Sequence, residues 1–356
     1  MKQLKQVPAN DTFGALTLAT EVIDGKLAGF ISGPEVNGVP PKLDLPETVA
    51  DDVGFIVESS GSTGTPKRIE LSVGALLASA AASQKRIGSG QWLLALPVNY
   101  IAGLNVLIRS VLADTQPVML NSQLPFTPEA FIRSAFLMTK DRYTSLVPYQ
   151  ALQLARQTSD QEVLNTLKSF RAILVGGQAV PQEVLALRDL GVNIVQSYGM
   201  AETSGGCVYD GVPLDGVSVE IVDQRIAISC TMLANGLGKS YLAPDLGEIT
   251  DGILKVLGRA DRVIISGGIK LSLDQVENWA LSSGVDKVVA VSLRSEFGES
   301  VGIGYQSGSE IDFEFLAGYS KAARPLRTLR FEKLPLLLSG KPDLISIHQA
   351  LDSMES

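Results

Sequence analysis

Histidine is nearly absent from this 356-residue chain: His348 is the only one, which excludes a Ser-His-Asp triad and most histidine-based metal sites. Cysteine is almost as scarce. Cys207 and Cys230 give neither a disulfide framework nor a metal-ligand spacing, so both read as buried thiols. No apolar run reaches membrane-spanning length, and the opening Met1-Lys-Gln-Leu-Lys-Gln-Val-Pro8 is not a signal peptide. The expectation is a soluble cytoplasmic protein without membrane insertion. Positive charge is in deficit as well: 30 Lys and Arg against 38 Asp and Glu leave a net charge of −8, which argues against a nucleic-acid partner. Nucleotides stay open, because small phosphate sites are built locally from backbone amides and a few cations. What is present is a 45% apolar composition with modest charge, enough for a substantial core, in a length that suggests two domains or three.

The most informative stretch is Glu58-Ser-Ser-Gly-Ser-Thr-Gly-Thr-Pro-Lys67. Gly61 and Gly64 let backbone N–H groups turn toward an anion. Ser59, Ser60, Ser62, Thr63 and Thr65 add neutral donors, and Lys67 adds a point charge suited to phosphate. The preceding Val53-Gly-Phe-Ile-Val57 predicts a buried strand, so the loop leaves a sheet edge. It is not a Walker A loop, because Pro66 precedes the lysine and Arg68 follows it. The alternative is a flexible Ser/Gly linker. A linker, however, gains nothing from a strand before it and Pro-Lys-Arg after it.

Strand-like and helix-like segments alternate along the chain, which predicts α/β layering. A helix is expected from Ser72 to Ile87, with Ser72 as N-cap, and an apolar helix from Gly103 to Leu112. Strands are expected at 92–97, 117–120, 144–147, 172–175 and 192–196. From about residue 217 the pattern becomes β-rich, with strands at 217–222, 225–228 and 253–257. Alternation restarts after Arg259, with a helix near 273–281 and strands at 288–293 and 301–305. The fold class expected is a large layered α/β N-terminal domain with a β-rich subdomain (residues 1–258), a hinge at 259–262, and a small mobile α+β C-terminal domain (263–356). Residues 1–50 show little periodicity.

Further clusters gain meaning from their order. Gly176-Gly-Gln178 follows a strand and offers a flat backbone surface, and Tyr198-Gly-Met-Ala-Glu-Thr203 follows the next one. Then come Pro244-Asp245, Gly258-Arg-Ala-Asp-Arg262, Ile265-Ser-Gly-Gly-Ile-Lys270 ending in Val276-Glu277, and Leu338-Ser-Gly-Lys341. Each taken singly reads as an ordinary turn or bend.

Taken in order, the set resembles the adenylate-forming superfamily of acyl-CoA synthetases, luciferases and peptide-synthetase adenylation domains, over roughly residues 50 to 350. The chain is short for that superfamily, and the short form resembles the o-succinylbenzoate–CoA ligases of menaquinone biosynthesis. Supporting stretches are Ala95-Leu-Pro-Val-Asn-Tyr-Ile-Ala-Gly-Leu104, Ser145-Leu-Val-Pro148 and Arg109 in an otherwise apolar helix.

The resemblance implies that a carboxylate attacks the α-phosphate of ATP, giving acyl-AMP and pyrophosphate, and that the thiol of coenzyme A then displaces AMP. It implies that the 59–67 loop holds the β- and γ-phosphates and that Lys67 neutralises them. Gly176, Gly177 and Gln178 wall the adenine slot, Tyr198 with Gly199 stacks on the ring, and Thr203 bonds the α-phosphate. Glu202 holds Mg²⁺, Asp245 accepts the ribose hydroxyls with Arg259 assisting, and Lys341 bridges the carboxylate and α-phosphate. Lys341, so near the C-terminus, requires a mobile small domain, with Asp261 at the hinge position and Gly268 and Lys270 serving the thioester step. Asp261 also fits a turn aspartate bonding its own backbone. Dimers are common among such ligases, so a homodimer is among the assemblies the resemblance implies.

The partner expected is a small carboxylic acid. Arg109 in a buried helix needs an anion, met either by the unreacting carboxylate of o-succinylbenzoate or by an Asp or Glu of the chain. Tyr100 and Gly103 complete the expected acyl contacts. The chain departs from the family pattern at Arg68 (usually glycine), Tyr100 (usually histidine), Leu273 (often proline), Gln275 (often glutamate) and Leu344 (often basic). Another aryl- or fatty-acyl-CoA synthetase, transfer to a carrier protein, or an inactive nucleotide-binding relative are the other readings. Retention of Lys67, Glu202, Asp245, Arg259 and Lys341 together counts against the last, since binding alone does not need Lys341.

Overall fold

The computed structural model describes the chain except for residues 35–43, 60–66, 122–123, 283–284, 286, 296–297, 338–341 and 355–356. It divides into two compact units, Met1–Val219 with Ile228–Tyr241, and Glu220–Ala227 with Leu242–Ser356. The units thus divide inside the β-rich segment.

The first unit opens with β1 (Lys2–Pro8), α1 (Thr12–Ile23), β2 (Ala28–Ser32) and β3 (Thr48–Val49). It continues through β4 (Val53–Ser59), β5 (Lys67–Ser72), α2 (Val73–Ile87), β6 (Gln91–Leu94), α3 (Ile101–Leu112) and β7 (Val118–Met119). Next come α4 (Pro128–Phe136), β8 (Arg142–Leu146), α5 (Pro148–Ala155), α6 (Gln161–Lys168) and β9 (Phe170–Gly176). The unit's last elements are α7 (Gln182–Leu185), β10 (Ile194–Met200), β11 (Gly205–Tyr209) and β12 (Val212–Pro213). Two sheets result, one ordered β3-β1-β2-β4-β5 and one ordered β12-β11-β10-β9-β8-β6-β7. Helices α1 to α3 pack between them, α2 touching β4, β5 and β11, and α3 touching β6, β8 and β11.

Local chemistry explains these elements. Ser72 caps α2 by accepting the Ala75 N–H, as its position before an apolar run predicts. Thr127 caps α4 in the same way, with Pro128 at the first helical position. Strands β8 and β9 run parallel, and their residues are almost continuously buried, as a parallel sheet covered on both faces requires. Helices α4 to α7 cover the outer face around Phe131, which is fully buried and stacks on Phe170 at 5.5 Å. The segment 1–50, unreadable by periodicity, holds β1, α1, β2 and β3. The residues of β2 are buried throughout, so no alternation marks it.

The second unit is built around β13 (Ser218–Val222), β14 (Arg225–Ser229), β15 (Tyr241–Thr250), β16 (Ile253–Arg259), β17 (Val263–Ser266) and β18 (Ile269–Ser272). It ends with α8 (Leu273–Ser282), β19 (Lys287–Ser295), β20 (Gly298–Gln306), β21 (Pro325–Arg330) and α9 (Leu344–Asp352). Strand β15 escapes the sequence reading because Pro244 and Gly247 interrupt it, with a register shift between Leu246 and Gly247. Strand β19 shows the period-2 logic: Val288 and Ala290 join the core under α8, while Val289, Val291 and Leu293 join Ile347 and Leu351 of α9. The α+β character expected of the C-terminal part is therefore present. No helix among the described residues is long and apolar enough to cross a membrane.

Candidate active site

In the first unit Gly176, Gly177, Tyr198 and Glu202 come together at the carboxyl ends of the parallel strands β9 and β10, the usual place for a ligand in an α/β sheet. Strands β9 and β10 are parallel with Gly176 beside Ser197, and a Cβ on Gly176 would run into the Ser197 carbonyl oxygen. Gly177 follows with φ +85°, so the chain turns there and leaves Gly177 and Gln178 exposed. Tyr198 pairs with Val208 of β11, and a bulge at Tyr198/Gly199 ends the regular ladder.

Beyond β10, Ala201–Thr203 makes a 3-10 turn that presents Glu202, whose side chain is 13% exposed. The Lys67 ammonium lies 4.0 Å from that carboxylate. Strands β4 and β5 form an antiparallel pair with Ser59 opposite Lys67, so the pairing brackets the hydroxyl-rich loop. Ser60, Gly61, Ser62, Thr63, Gly64 and Thr65 themselves lie outside the described residues, as does Lys341. Arg68, the departure from the family's glycine, is used locally: its guanidinium donates to the Asp44 carbonyl and sits 3.7 Å from Glu58.

Thr203 is fully buried, its hydroxyl donates to the Gly205 carbonyl (2.7 Å), and it accepts the Met200 N–H (3.0 Å). That hydroxyl is engaged by the turn's own backbone. The next residue, Ser204, is left-handed (φ +51°) and also fully buried. Its carbonyl accepts Ser79 Oγ (3.0 Å) and Asn105 Nδ2 (2.9 Å), and its hydroxyl donates to Met232 O (2.7 Å). Sequence reasoning missed this node, since a serine and an asparagine distant in the chain carry no motif. Cys207 is buried as expected, and burial pushes its thiol up to about 12, whereas Cys230 is only half-buried.

Helix α3 starts at Tyr100, its N-cap residue, and Gly103 lets it approach the Pro97 carbonyl where a Cβ would collide. Arg109, in its last turn, is 7% exposed. Its guanidinium lies 4.9 Å from the Trp92 ring centre and donates to the Tyr209 hydroxyl at 3.3 Å. Among the described residues no carboxylate pairs with it, and its Nε has no hydrogen-bond partner. Beside it is a cavity of about 10 Å³ lined by Ser83, Gln84, Ser89, Trp92 and Leu112.

In the second unit Asp245 and Arg259 face each other across β15 and β16. Arg259 grips Asp261 through two bonds of 2.7 and 2.6 Å, which holds the Asp261 carboxyl below its ordinary value. Asp274 on α8 then accepts the Arg259 N–H (2.7 Å) and Arg262 Nε (2.5 Å), so both neighbours of the expected hinge share one anchor. Arg262 also donates to Glu277 (2.5 Å), which in turn accepts the Ala290 N–H (2.8 Å). Gly267 and Gly268, with φ of +55° and +81°, form the tight turn between β17 and β18 and leave Lys270 exposed.

Among the described residues no three His, Cys, Asp or Glu side chains converge as a metal cage. The donor set fits a cation held by one carboxylate plus phosphate oxygens, the habit of Mg²⁺.

A family profile described as AMP-binding enzyme matches residues 6–230. The chain is 40% identical over 295 residues to a probable 2-succinylbenzoate–CoA ligase of Mycobacterium tuberculosis, covering 76% of this chain and 75% of that one. It is 26% identical over 380 residues to a 2-succinylbenzoate–CoA ligase of Lactococcus lactis, covering 95% and 80%. Among solved structures it is similar to the o-succinylbenzoate CoA synthetase of Bacillus subtilis in complex with an acyl-adenylate intermediate, with TM-score 0.73, 20% identity and coverage of 99% and 84%. It is also similar to an amide bond synthetase of Marinactinospora thermotolerans, with TM-score 0.72, 21% identity and coverage of 91% and 75%.

Proposed function

We propose, from the premise that this chain belongs to the AMP-binding enzyme family, that it is an ATP-dependent acid–CoA ligase working through an acyl-adenylate, with 2-succinylbenzoate as its acid. The observation that carries the reading is Lys67 beside Glu202 at the strand ends that also carry Gly176, Gly177 and Tyr198. One cation for phosphate and one carboxylate for Mg²⁺ are the minimum that adenylate formation asks of a protein.

In this reading the carboxylate oxygen of the acid attacks the α-phosphorus, the bond to the β-phosphate breaks, and pyrophosphate leaves. The coenzyme A sulfur then attacks the acyl carbon and AMP leaves. Lys67 and the 59–65 loop neutralise the β- and γ-phosphates, Glu202 holds the cation, and Gly176 to Gln178 with Tyr198 receive the adenine. In the second unit Asp245 and Arg259 serve the ribose, Asp261 takes up a rotation of the small domain, and Gly268 and Lys270 serve the thioester step. Lys341 stabilises charge on the carboxylate and α-phosphate as adenylation proceeds.

The acid is supported by Arg109. A buried guanidinium without a carboxylate partner among the described residues is costly unless a ligand supplies the anion.

The test is acid-dependent conversion of ATP to AMP with Mg²⁺ and coenzyme A, offering 2-succinylbenzoate, benzoate, succinate and a medium-chain fatty acid, with Lys341→Ala alongside. AMP formed with 2-succinylbenzoate alone, and lost in the variant, supports enzyme and substrate. AMP with a different acid keeps the reaction and discards the substrate. No AMP with any of them overturns the reading.

A further inference from the structure

We propose that Asn105 is a positioning residue for the cation-binding turn, acting through Ser204 on Glu202; this rests on the ligase reading of Glu202 above. Asn105 is 2% exposed in the middle of α3, between Leu104 and Val106, where packing alone calls for an apolar side chain. Its Nδ2 donates to the Ser204 carbonyl at 2.9 Å, while its Oδ1 is buried with no partner among the described residues. A buried amide that satisfies only one end is a stability cost, so its donor is what the position retains.

That donor meets the backbone two residues beyond Glu202. Ser204 is held in the left-handed region by contacts from three places: Asn105 on α3, Ser79 on α2, and the Met232 carbonyl. Gly205 comes so close that a Cβ there would strike the Asn105 amide. On the other side, the Glu202 carbonyl accepts the Ala234 N–H at 2.9 Å. Glu202 therefore sits on a turn clamped at both ends, and Asn105 supplies the clamp that belongs to the acid-binding helix. Asn105 and Arg109 are four residues apart and share one face of α3, so the helix that grips the acid also orients the carboxylate of the cation site.

Outer-shell partners of this kind change metal affinity by about 10- to 100-fold when removed. Binding of ATP is measured by calorimetry across a Mg²⁺ series in the full chain, for wild type, Asn105→Ala and Ser79→Ala, with acid-dependent AMP formation and thermal melting in parallel. Ser79→Ala removes the companion donor to the same carbonyl from a different helix, and keeps the question open to test should Asn105→Ala fold poorly. The expected result is a Mg²⁺ half-saturation raised about tenfold in Asn105→Ala and about threefold in Ser79→Ala, with ATP binding recovering at high Mg²⁺. Variants that melt lower but keep the wild-type Mg²⁺ dependence make Asn105 a merely structural residue and overturn the inference. Wild type that binds Mg²⁺ and ATP but forms no adenylate defeats the ligase reading, and Asn105 is then judged on the binding series alone. Wild type that shows no Mg²⁺-dependent ATP binding defeats both.

Discussion

The Lys67 ammonium stands 4.0 Å from the Glu202 carboxylate, joining the first strand after the hydroxyl-rich loop to the turn beyond β10 on the other sheet. Lys67 is 64% exposed, so as an ion pair the contact contributes at most about 1 kcal/mol. In the proposed reading Lys67 neutralises phosphate and Glu202 holds the cation. Lys67→Met is expected to leave the melting temperature within a few degrees while lowering kcat/KM for ATP by about 100-fold, roughly 2.7 kcal/mol of transition-state stabilisation. Pyrophosphate exchange beside a thermal melt checks it; a large fall in melting temperature with unchanged exchange contradicts it.

In the proposed reading Arg109 separates acid recognition from nucleotide binding. Arg109→Met keeps volume and removes a buried charge, so the fold is expected to persist. The KM for 2-succinylbenzoate should rise by about 100-fold while that for ATP moves less than about threefold, since a charge-assisted contact contributes about 1.5–3 kcal/mol. Arg109→Lys should recover only part of the loss, because a lysine lacks the planar fork that meets a carboxylate with two bonds. Steady-state kinetics with each substrate varied in turn decides this.

Thr203 gives the opposite signature. Thr203→Val leaves the Met200 N–H and Gly205 carbonyl without partners in a dry turn, which should cost about 1–3 kcal/mol, whereas Thr203→Ser keeps both bonds and most of the stability. Urea unfolding of the two variants separates a structural hydroxyl from a ligand contact, because loss of a ligand contact alone leaves unfolding of the apo protein unmoved.

These contrasts show where the sequence speaks and where it falls silent. Strands β4 and β6 to β10 are legible from their local apolar pattern, α3 from its apolar run, and α2 also from its cap at Ser72. Strand β15 is not, since Pro244 and Gly247 break its pattern and its pairing with β14 and β16 is what holds it. At the site, Glu202 is legible through its neighbours in the chain. Thr203 is legible only by residue type, because a hydroxyl beside a carboxylate looks the same in sequence whether it faces a ligand or its own backbone. Asn105, Ser79 and Asp274 are invisible for a different reason. Each acts on a residue far along the chain, and a single sequence records no such distance.

Glu277 makes the second unit sensitive to pH. Burial, aided by the neighbouring Asp274 charge, pushes its carboxyl from 4.5 to about 7 in spite of Arg262. Between those values the folded protein keeps a proton that the unfolded chain has released, so stability falls as pH rises from 4.5 to about 7 and levels off above. The side chain is 23% exposed and Arg262 opposes the shift, which places the change at about 2 kcal/mol rather than the full value of about 3. Chemical denaturation at pH 5, 6, 7 and 8 should show this decline in wild type and a flatter profile in Glu277→Gln. Equal slopes in the two proteins would sink the assignment.

Helix α3 is pinned at three heights: Gly103 against the Pro97 carbonyl, Asn105 on the Ser204 carbonyl, and Arg109 between Trp92 and Tyr209. A rod held so can neither slide nor tilt without disturbing all three contacts at once. In the proposed reading, room for a differently shaped acid is found in the opposite wall, at Ala80, Gln84 and Ser89, whose side chains carry none of those contacts. For laboratory evolution this divides the neighbourhood of Arg109 into one rigid side to be left alone and one permissive side to be varied. Libraries confined to the α2 side should retain far more folded, ATP-binding members than libraries of equal size drawn on α3.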